Sequence, residues 1–132
     1  MKRVIVNGSF DILHVGHIKL LEYAATFGAV LVLIDSDRRI KELKGPSRPV
    51  NGLYERITLL RALKSVDEVE AFDSDLELEN LIREYTPDIM VKGSDWKGGS
   101  IIGACYCNEI KFYDRIEQYS TTKTIQDIST RG

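Results

Sequence analysis

The feature that most narrows what this chain can fold into is the arrangement of its apolar residues. Val4-Ile5-Val6 and Val30-Leu31-Val32-Leu33-Ile34 are short, uninterrupted and rich in β-branched side chains. A strand with one face in water alternates apolar and polar residues, so unbroken runs of this kind read as strands buried on both faces of a parallel sheet. The same reasoning places further strands at Val66 to Phe72 and Ile89 to Val91, with a weaker fifth run at Ile110 to Tyr113. Between them, His17 to Phe27, Leu53 to Leu63 and Leu76 to Tyr85 repeat apolar residues at spacings of three and four, the period of a helix with one buried face. Parallel neighbours need crossover connections, and helices supply them with a right-handed turn.

The expected architecture is therefore α/β, a single domain over residues 1–132 with a Rossmann-like open parallel sheet of about five strands flanked by helices. Such sheets bind ligands outside the carboxyl ends of their strands. A length of 132 residues suits one core, and no repeat, low-complexity tract or long linker divides it. A net charge of -2 offers no general attraction to nucleic acid. No apolar run approaches the roughly 20 residues that span a bilayer, so the chain is expected to be cytoplasmic and free of membrane. Cys105 and Cys107 are too few and too close for a disulfide framework; they are read as reduced thiols that pack, and a redox or metal protein built on them would lack the C-x-x-C spacing.

One segment breaks the rhythm. In Lys44-Gly45-Pro46-Ser47-Arg48-Pro49-Val50-Asn51 two prolines and a glycine exclude a helix, and a surface loop with two exposed cations is expected.

The chemistry concentrates where the first strand ends, at Asn7-Gly8-Ser9-Phe10-Asp11-Ile12-Leu13-His14-Val15-Gly16-His17. A strand, a glycine turn and a helix start make an anion site, because the first backbone N–H groups of a helix have no partner within it and carry partial positive charge. His14 and His17, the two histidines of the chain, stand three apart and project to one side of a helical turn, with Gly16 leaving room for a phosphate between them. Against this stand two simpler readings, a capping histidine beside a satisfied one, or a zinc site. Zinc asks for three or four protein ligands, and only the distant Cys105 and Cys107 would complete the set.

Gly8-Ser9-Phe10-Asp11 with His14-Val15-Gly16-His17 resembles the G-x-F-D-x-x-H-x-G-H signature of the cytidylyltransferase-like nucleotidyltransferases. Arg56, Val66-Asp67-Glu68-Val69, Lys92-Gly93-Ser94-Asp95-Trp96 and Ser120-Thr121-Thr122 resemble later blocks of the family in order, so the likeness covers nearly the whole chain. The resemblance implies transfer of a nucleoside monophosphate from a nucleoside triphosphate to a small sugar or polyol phosphate, with pyrophosphate released and no covalent enzyme intermediate. It implies catalytic roles on phosphate for His14, His17, Lys44 and Arg56. Nucleotide contacts are implied for Gly8, Ser9, Phe10, Asp11, Gly16, Lys92, Gly93, Asp95, Trp96, Arg115, Ser120, Thr121 and Thr122. A Mg²⁺ ion carried mainly by the nucleotide phosphates, no protein metal ligands and a homodimer are implied as well. Each residue has a plainer alternative: Lys44, Arg48 and Arg56 as surface cations, Trp96 as core, Asp95, Ser120 and the threonines as helix caps. Asp11, acidic beside a phosphate site, is expected to take turn N–H groups or a metal-linked water.

Within the family two branches compete. The Lys44 to Asn51 loop and Val91-Lys92-Gly93 resemble heptose adenylyltransferases, whereas Trp96, Arg115 and Glu117 resemble glycerol-phosphate cytidylyltransferases; ATP with heptose 1-phosphate is the favoured pair and CTP with glycerol 3-phosphate the alternative. Gln118-Tyr119 stands where both branches carry a glycine before the Ser-Thr-Thr block, which departs from the glycine-dependent loop there. A nucleotide-binding regulator without turnover is the rival from another class. Aminoacyl-tRNA synthetases share a related histidine motif but are expected to be far longer and to carry a basic RNA-binding surface.

Overall fold

The computed structural model describes residues 1–114. Five strands, β1 (Arg3–Gly8), β2 (Ala29–Asp35), β3 (Glu68–Phe72), β4 (Ile89–Gly93) and β5 (Glu109–Tyr113), form one parallel sheet in the order β3-β2-β1-β4-β5. The helices are α1 (Val15–Ala25), α2 (Asp37–Lys44), α3 (Leu53–Arg61) and α4 (Asp75–Tyr85). All five expected strands are present. The unbroken apolar runs behave as their pattern requires: Val4, Ile5 and Val6 are at most 1% exposed, each contributing about 1.5–3 kcal/mol relative to an exposed side chain.

Alternate residues of each strand feed two cores. Val4, Val6, Val30, Val32, Ile34 and Val91 pack with Leu21 and Ala24 of α1 and Leu60 of α3. Ile5, Leu31, Leu33 and Met90 pack with Leu78 and Ile82 of α4. β5 is exposed at Glu109 and half-buried from Ile110 to Tyr113, which explains its weak apolar signal.

Helix α2 was not expected. It has a full set of end signals: Ser36 caps it by accepting from the Arg39 N–H, Asp37 sits in its first turn, Lys41 and Lys44 in its last, and Gly45 follows at φ 104°. It buries only Ile40, however, so it lacks the repeating apolar face from which the other helices were read. The expected start of β3 also shifts, because Val66 and Asp67 belong to the turn entering the strand; the Val66 N–H goes to the Leu63 carbonyl.

The order in which the chain adds strands reverses between β1 and β4, with all five strands still parallel. The chain runs outward through β2 and β3, then returns through α4 to lay β4 on the other side of β1. Pairing of these two strands covers Val4↔Ile89 and Ile5↔Met90, whereas β1 pairs with β2 all the way to Gly8↔Ile34. The carboxyl ends of β1 and β4 thus flank a crevice, the usual ligand position in an open α/β sheet. Among the described residues no helix is long and apolar enough to cross a membrane.

Candidate active site

The histidine turn is built by the residues before it. Phe10 takes φ 47°, a left-handed conformation that costs a non-glycine residue free energy, and folds its ring back over the end of β1. A Cβ on Gly8 would lie 3.2 Å from that ring, a tight contact that glycine avoids. Phe10 is buried, and its ring lies 5.0 Å from that of His17. The Phe10 ring packs in the core and supports His17, which leaves its backbone as the part that could face a nucleotide. His14 is the N-cap of α1, its ring stacked on His17 at 3.8 Å, and Gly16 lies between them in the first helical turn. The His14 backbone N–H donates to His17 Nδ1 at 3.3 Å. An accepting Nδ1 leaves the proton of the neutral ring on Nε2, which makes that nitrogen a donor.

Beneath this turn lies a clasp that the sequence does not announce. Asp11 is fully buried and accepts from the N–H groups of Val50 and Asn51 and from Arg48 Nε at 2.8 Å. Burial alone would raise its pKa, but the Asn51 and Val50 N–H groups and the Arg48 guanidinium outweigh it and hold the carboxyl below its ordinary value. The turn N–H expectation for Asp11 is met. The Asn51 side chain returns a hydrogen bond to the Asp11 carbonyl. Arg48 is buried rather than an exposed loop cation, because its charge neutralises Asp11; its Nη2 has no hydrogen-bond partner among the described residues.

Arg56 requires the larger correction. It is 0% exposed and so is not a surface cation. Its Nε donates to the Asn51 carbonyl, Nη1 to the carbonyls of Ser9 and Asp35, and Nη2 to Asp37 Oδ1 at 2.7 Å. One guanidinium thereby ties the loop after β1, the end of β2, the start of α2 and the loop before α3 into a unit, a use that suits a rigid five-donor fork.

The crevice opens into a cleft of about 360 Å³ whose polar lining includes Asn7, Ser9, Asp35, Arg39, Lys44 and Lys92, with Phe72, Leu78, Trp96 and Ile102 as its apolar wall. Lys92 is 7% exposed. Its Nζ donates to Asn7 Oδ1 at 3.0 Å and lies 4.3 Å from the centre of the Trp96 ring, a cation–π contact. Burial lowers its pKa, opposed by the pull of Asp35 and Asp95. Trp96 is 46% exposed, a wall of the cleft and not core. Lys44 ends α2 as an exposed residue, but its Nζ turns inward to Ser9 Oγ at 3.1 Å. Desolvation and the nearby Arg48 lower its pKa, against the attraction of Asp35 and Asp11.

The structure therefore brings Gly8, Ser9, Lys44, Lys92 and Trp96 together around one opening, with the histidine turn beginning just beyond Ser9. Gly93 and Asp95 lie at the same end of β4, where a Cβ on Gly93 would meet Asp95 Oδ1 at 2.6 Å. Arg115, Ser120, Thr121 and Thr122 lie outside the described residues.

The profile of the family described as cytidylyltransferase-like matches residues 5–127. The chain belongs to that family. Among curated proteins it is 50% identical over 128 residues to the bifunctional protein HldE of Sulfurimonas denitrificans, a match covering 96% of this chain and 27% of that protein. To the protein of the same name from Campylobacter fetus it is 47% identical, over 95% of this chain and 27% of the other. The chain thus spans about a quarter of the length of these relatives. The crystal structure of the lipopolysaccharide core biosynthesis protein from Thermoplasma volcanium shares the fold with a TM-score of 0.67 at 25% identity, covering 86% of this chain and 98% of that one. Membership in the cytidylyltransferase-like family makes the chain a nucleotidyltransferase by class.

Sequence reasoning missed Asn7, Asp35 and Arg39 of this family member's cleft. Their only signal was position: Asn7 stands near the carboxyl end of β1, Asp35 ends β2, and Arg39 lies one helical turn further on. Arg39 donates to Asp35 Oδ2 at 2.9 Å and also pairs with Asp75. Among the described residues no three His, Cys, Asp or Glu side chains gather to hold a metal ion. The cysteines are free; burial pushes the Cys107 thiol up to about 11, so it stays protonated at neutral pH.

Proposed function

We propose that this chain transfers the adenylyl group of ATP to heptose 1-phosphate, releasing pyrophosphate. The observation that supports the reading is the pair of cations at the crevice between β1 and β4, Lys44 on Ser9 and Lys92 on Asn7, with the histidine turn starting just beyond Ser9. The choice of adenylyl and heptose rests on the Lys44 to Asn51 loop and the Val91-Lys92-Gly93 run.

The reaction needs little from the protein beyond placement and charge. An ionised oxygen of the acceptor phosphate attacks the α-phosphorus; a new P–O bond forms there as the bond to the bridging oxygen breaks, and pyrophosphate leaves with that electron pair. No protein atom becomes bonded and no proton has to move. His17 Nε2 and His14 donate to phosphate oxygens as charge builds, and the open N–H groups at the start of α1 add to them. Lys44, at the mouth, neutralises triphosphate, and Lys92, on the floor, holds the acceptor's phosphate. With Asp11 committed to Arg48 and the Val50 and Asn51 N–H groups, Mg²⁺ would ride on the triphosphate oxygens and supply charge neutralisation there. A homodimer belongs to the same proposal.

A pyrophosphate-release assay with purified protein tests it. Release is expected with ATP and heptose 1-phosphate. Release only with CTP and glycerol 3-phosphate would replace the adenylyl reading with the cytidylyl one, and no release with any of four nucleotides and a panel of sugar and polyol phosphates would favour a binding protein without turnover.

A further inference from the structure

The cleft contains a carboxylate for which the transfer reaction has no use. Asp35 closes β2 at the crevice, with its side chain 13% exposed. Oδ2 accepts from Arg39 Nε, and Oδ1 has no hydrogen bond among the described residues. Two ammonium groups share the cleft, yet the ion pair that Asp35 makes is with Arg39; Lys44 Nζ goes to Ser9 Oγ and Lys92 Nζ to Asn7 Oδ1. The negative group and the two positive groups stand around open space, each held by another partner.

That polarity restricts what fits. A bare anion would be drawn by the lysines but meet the Asp35 carboxylate, only partly offset by Arg39, and an apolar ligand would leave all four charges stripped of water. A ligand with a phosphate at one end and hydroxyls at the other satisfies both walls. An ionised carboxylate only accepts hydrogen bonds, and its two oxygens can serve two neighbouring donors. Adjacent hydroxyls are the donors that match, and Phe72, Leu78, Ile102 and Trp96 offer an apolar wall for the C–H face of a sugar. A volume of about 360 Å³ holds a ligand of that size.

We propose that Asp35 is a specificity-determining residue that binds a pair of adjacent hydroxyls on the phosphorylated acceptor, so that the cleft selects polyhydroxylated phosphates over simple ones. The inference rests on reading the cleft as the acceptor site, and not on which nucleotide is used. A nucleotide ribose also carries adjacent hydroxyls. The acceptor is preferred because Lys92, the proposed holder of the acceptor's phosphate, lines the cleft with Asp35 while His14 and His17 do not; Lys44, at the mouth, stands between the two substrates.

Calorimetric titration of the protein and of Asp35→Asn with heptose 1-phosphate, glycerol 3-phosphate and propyl phosphate separates the possibilities. Hydrogen bonds to a charged group predict a preference of roughly 10- to 100-fold for heptose 1-phosphate over propyl phosphate in the unaltered protein. Asp35→Asn should shrink that ratio to about threefold or less while propyl phosphate binds as well or better, since repulsion is relieved; a damaged fold would weaken both ligands together. The amide oxygen of the substituted side chain can still accept from Arg39. An unchanged ratio in Asp35→Asn, or no binding of any of the three phosphates, overturns the proposal. So does a change confined to the ratio of ATP to 2′-deoxyATP binding, which would move Asp35 to the ribose. Because the readout is binding, a preference for hydroxyls that persists without pyrophosphate release would refute the proposed substrates and leave this inference standing.

Discussion

Arg56 and Lys92 are both cations withdrawn from water, and they are opposites. Arg56 meets three carbonyls and a carboxylate, so four of its five donors are answered within the protein. Lys92 has one neutral acceptor, Asn7, and the face of an aromatic ring, and it makes no ion pair among the described residues. A buried charge is costly unless paired and hydrogen-bonded. Arg56 meets that condition within the protein; Lys92 meets it in part, and under the proposed function an anion in the cleft would complete it. Burial and charge sign are the same in both, so it is the count of answered donors that separates a residue holding the site together from one that acts in it.

The largest expected effect tests the Arg56 half. Arg56→Ala removes a donor from three carbonyls and the ion-pair partner of Asp37, and opens a void, at a cost of about 3–5 kcal/mol. At about 4 °C per kcal/mol for a chain of this size, the melting temperature should fall by roughly 10–20 °C. Arg56→Lys should restore little, because a point charge on a flexible stem cannot reach acceptors spread over four segments. Unchanged thermal stability with lost turnover would return Arg56 to the ligand site.

That contrast also marks how far the sequence could be read. The strands were legible because a two-faced buried strand needs an unbroken apolar run, and Val30 to Ile34 supplies one. The histidine turn was legible because its residues are contiguous. The clasp was not: Asp11 meets Arg48 across 37 positions and Arg56 meets Ser9 across 47, and nothing in a local pattern tells a guanidinium that faces carbonyls from one that faces phosphate. Asp35 was missed for a related reason, since the end of a strand becomes a cleft wall only once the sheet order sets β1 between β2 and β4. α2 escaped because its buried face is little more than Ile40.

An intermediate effect tests the histidine turn that borders both regions. His17→Ala should lower kcat by ~10²-fold or more, since losing one transition-state donor costs ~2.7–4 kcal/mol. His14→Ala should do the same. Both variants should lose less stability than Arg56→Ala, because neither ring bridges distant segments as that guanidinium does. Steady-state kinetics and chemical denaturation on the same samples check this; a higher KM for ATP with unchanged kcat would make the histidines ground-state binders.

The smallest effect tests the Lys92 half through pH. Burial holds the Lys92 pKa below the ordinary lysine value of 10.5, and Lys44 is shifted the same way. The unfolded chain thus keeps these protons to higher pH than the folded one, so their contribution to stability is least favourable below the folded pKa values and improves as pH rises toward the ordinary lysine value. Acceptor binding runs the other way, because only the charged ammonium attracts phosphate. kcat/KM for the acceptor should therefore fall by several-fold on the alkaline side, beginning at a lower pH than a solvent-exposed lysine would impose. kcat at saturating acceptor should resist longer, since bound phosphate stabilises the charged form and moves the pKa back up. Lys92→Met should fold at least as stably, with kcat/KM already low at neutral pH and the Lys92 part of the alkaline decline removed. If the Lys92→Met profile keeps the full decline at normal acceptor affinity, Lys92 is a closed structural cation like Arg56.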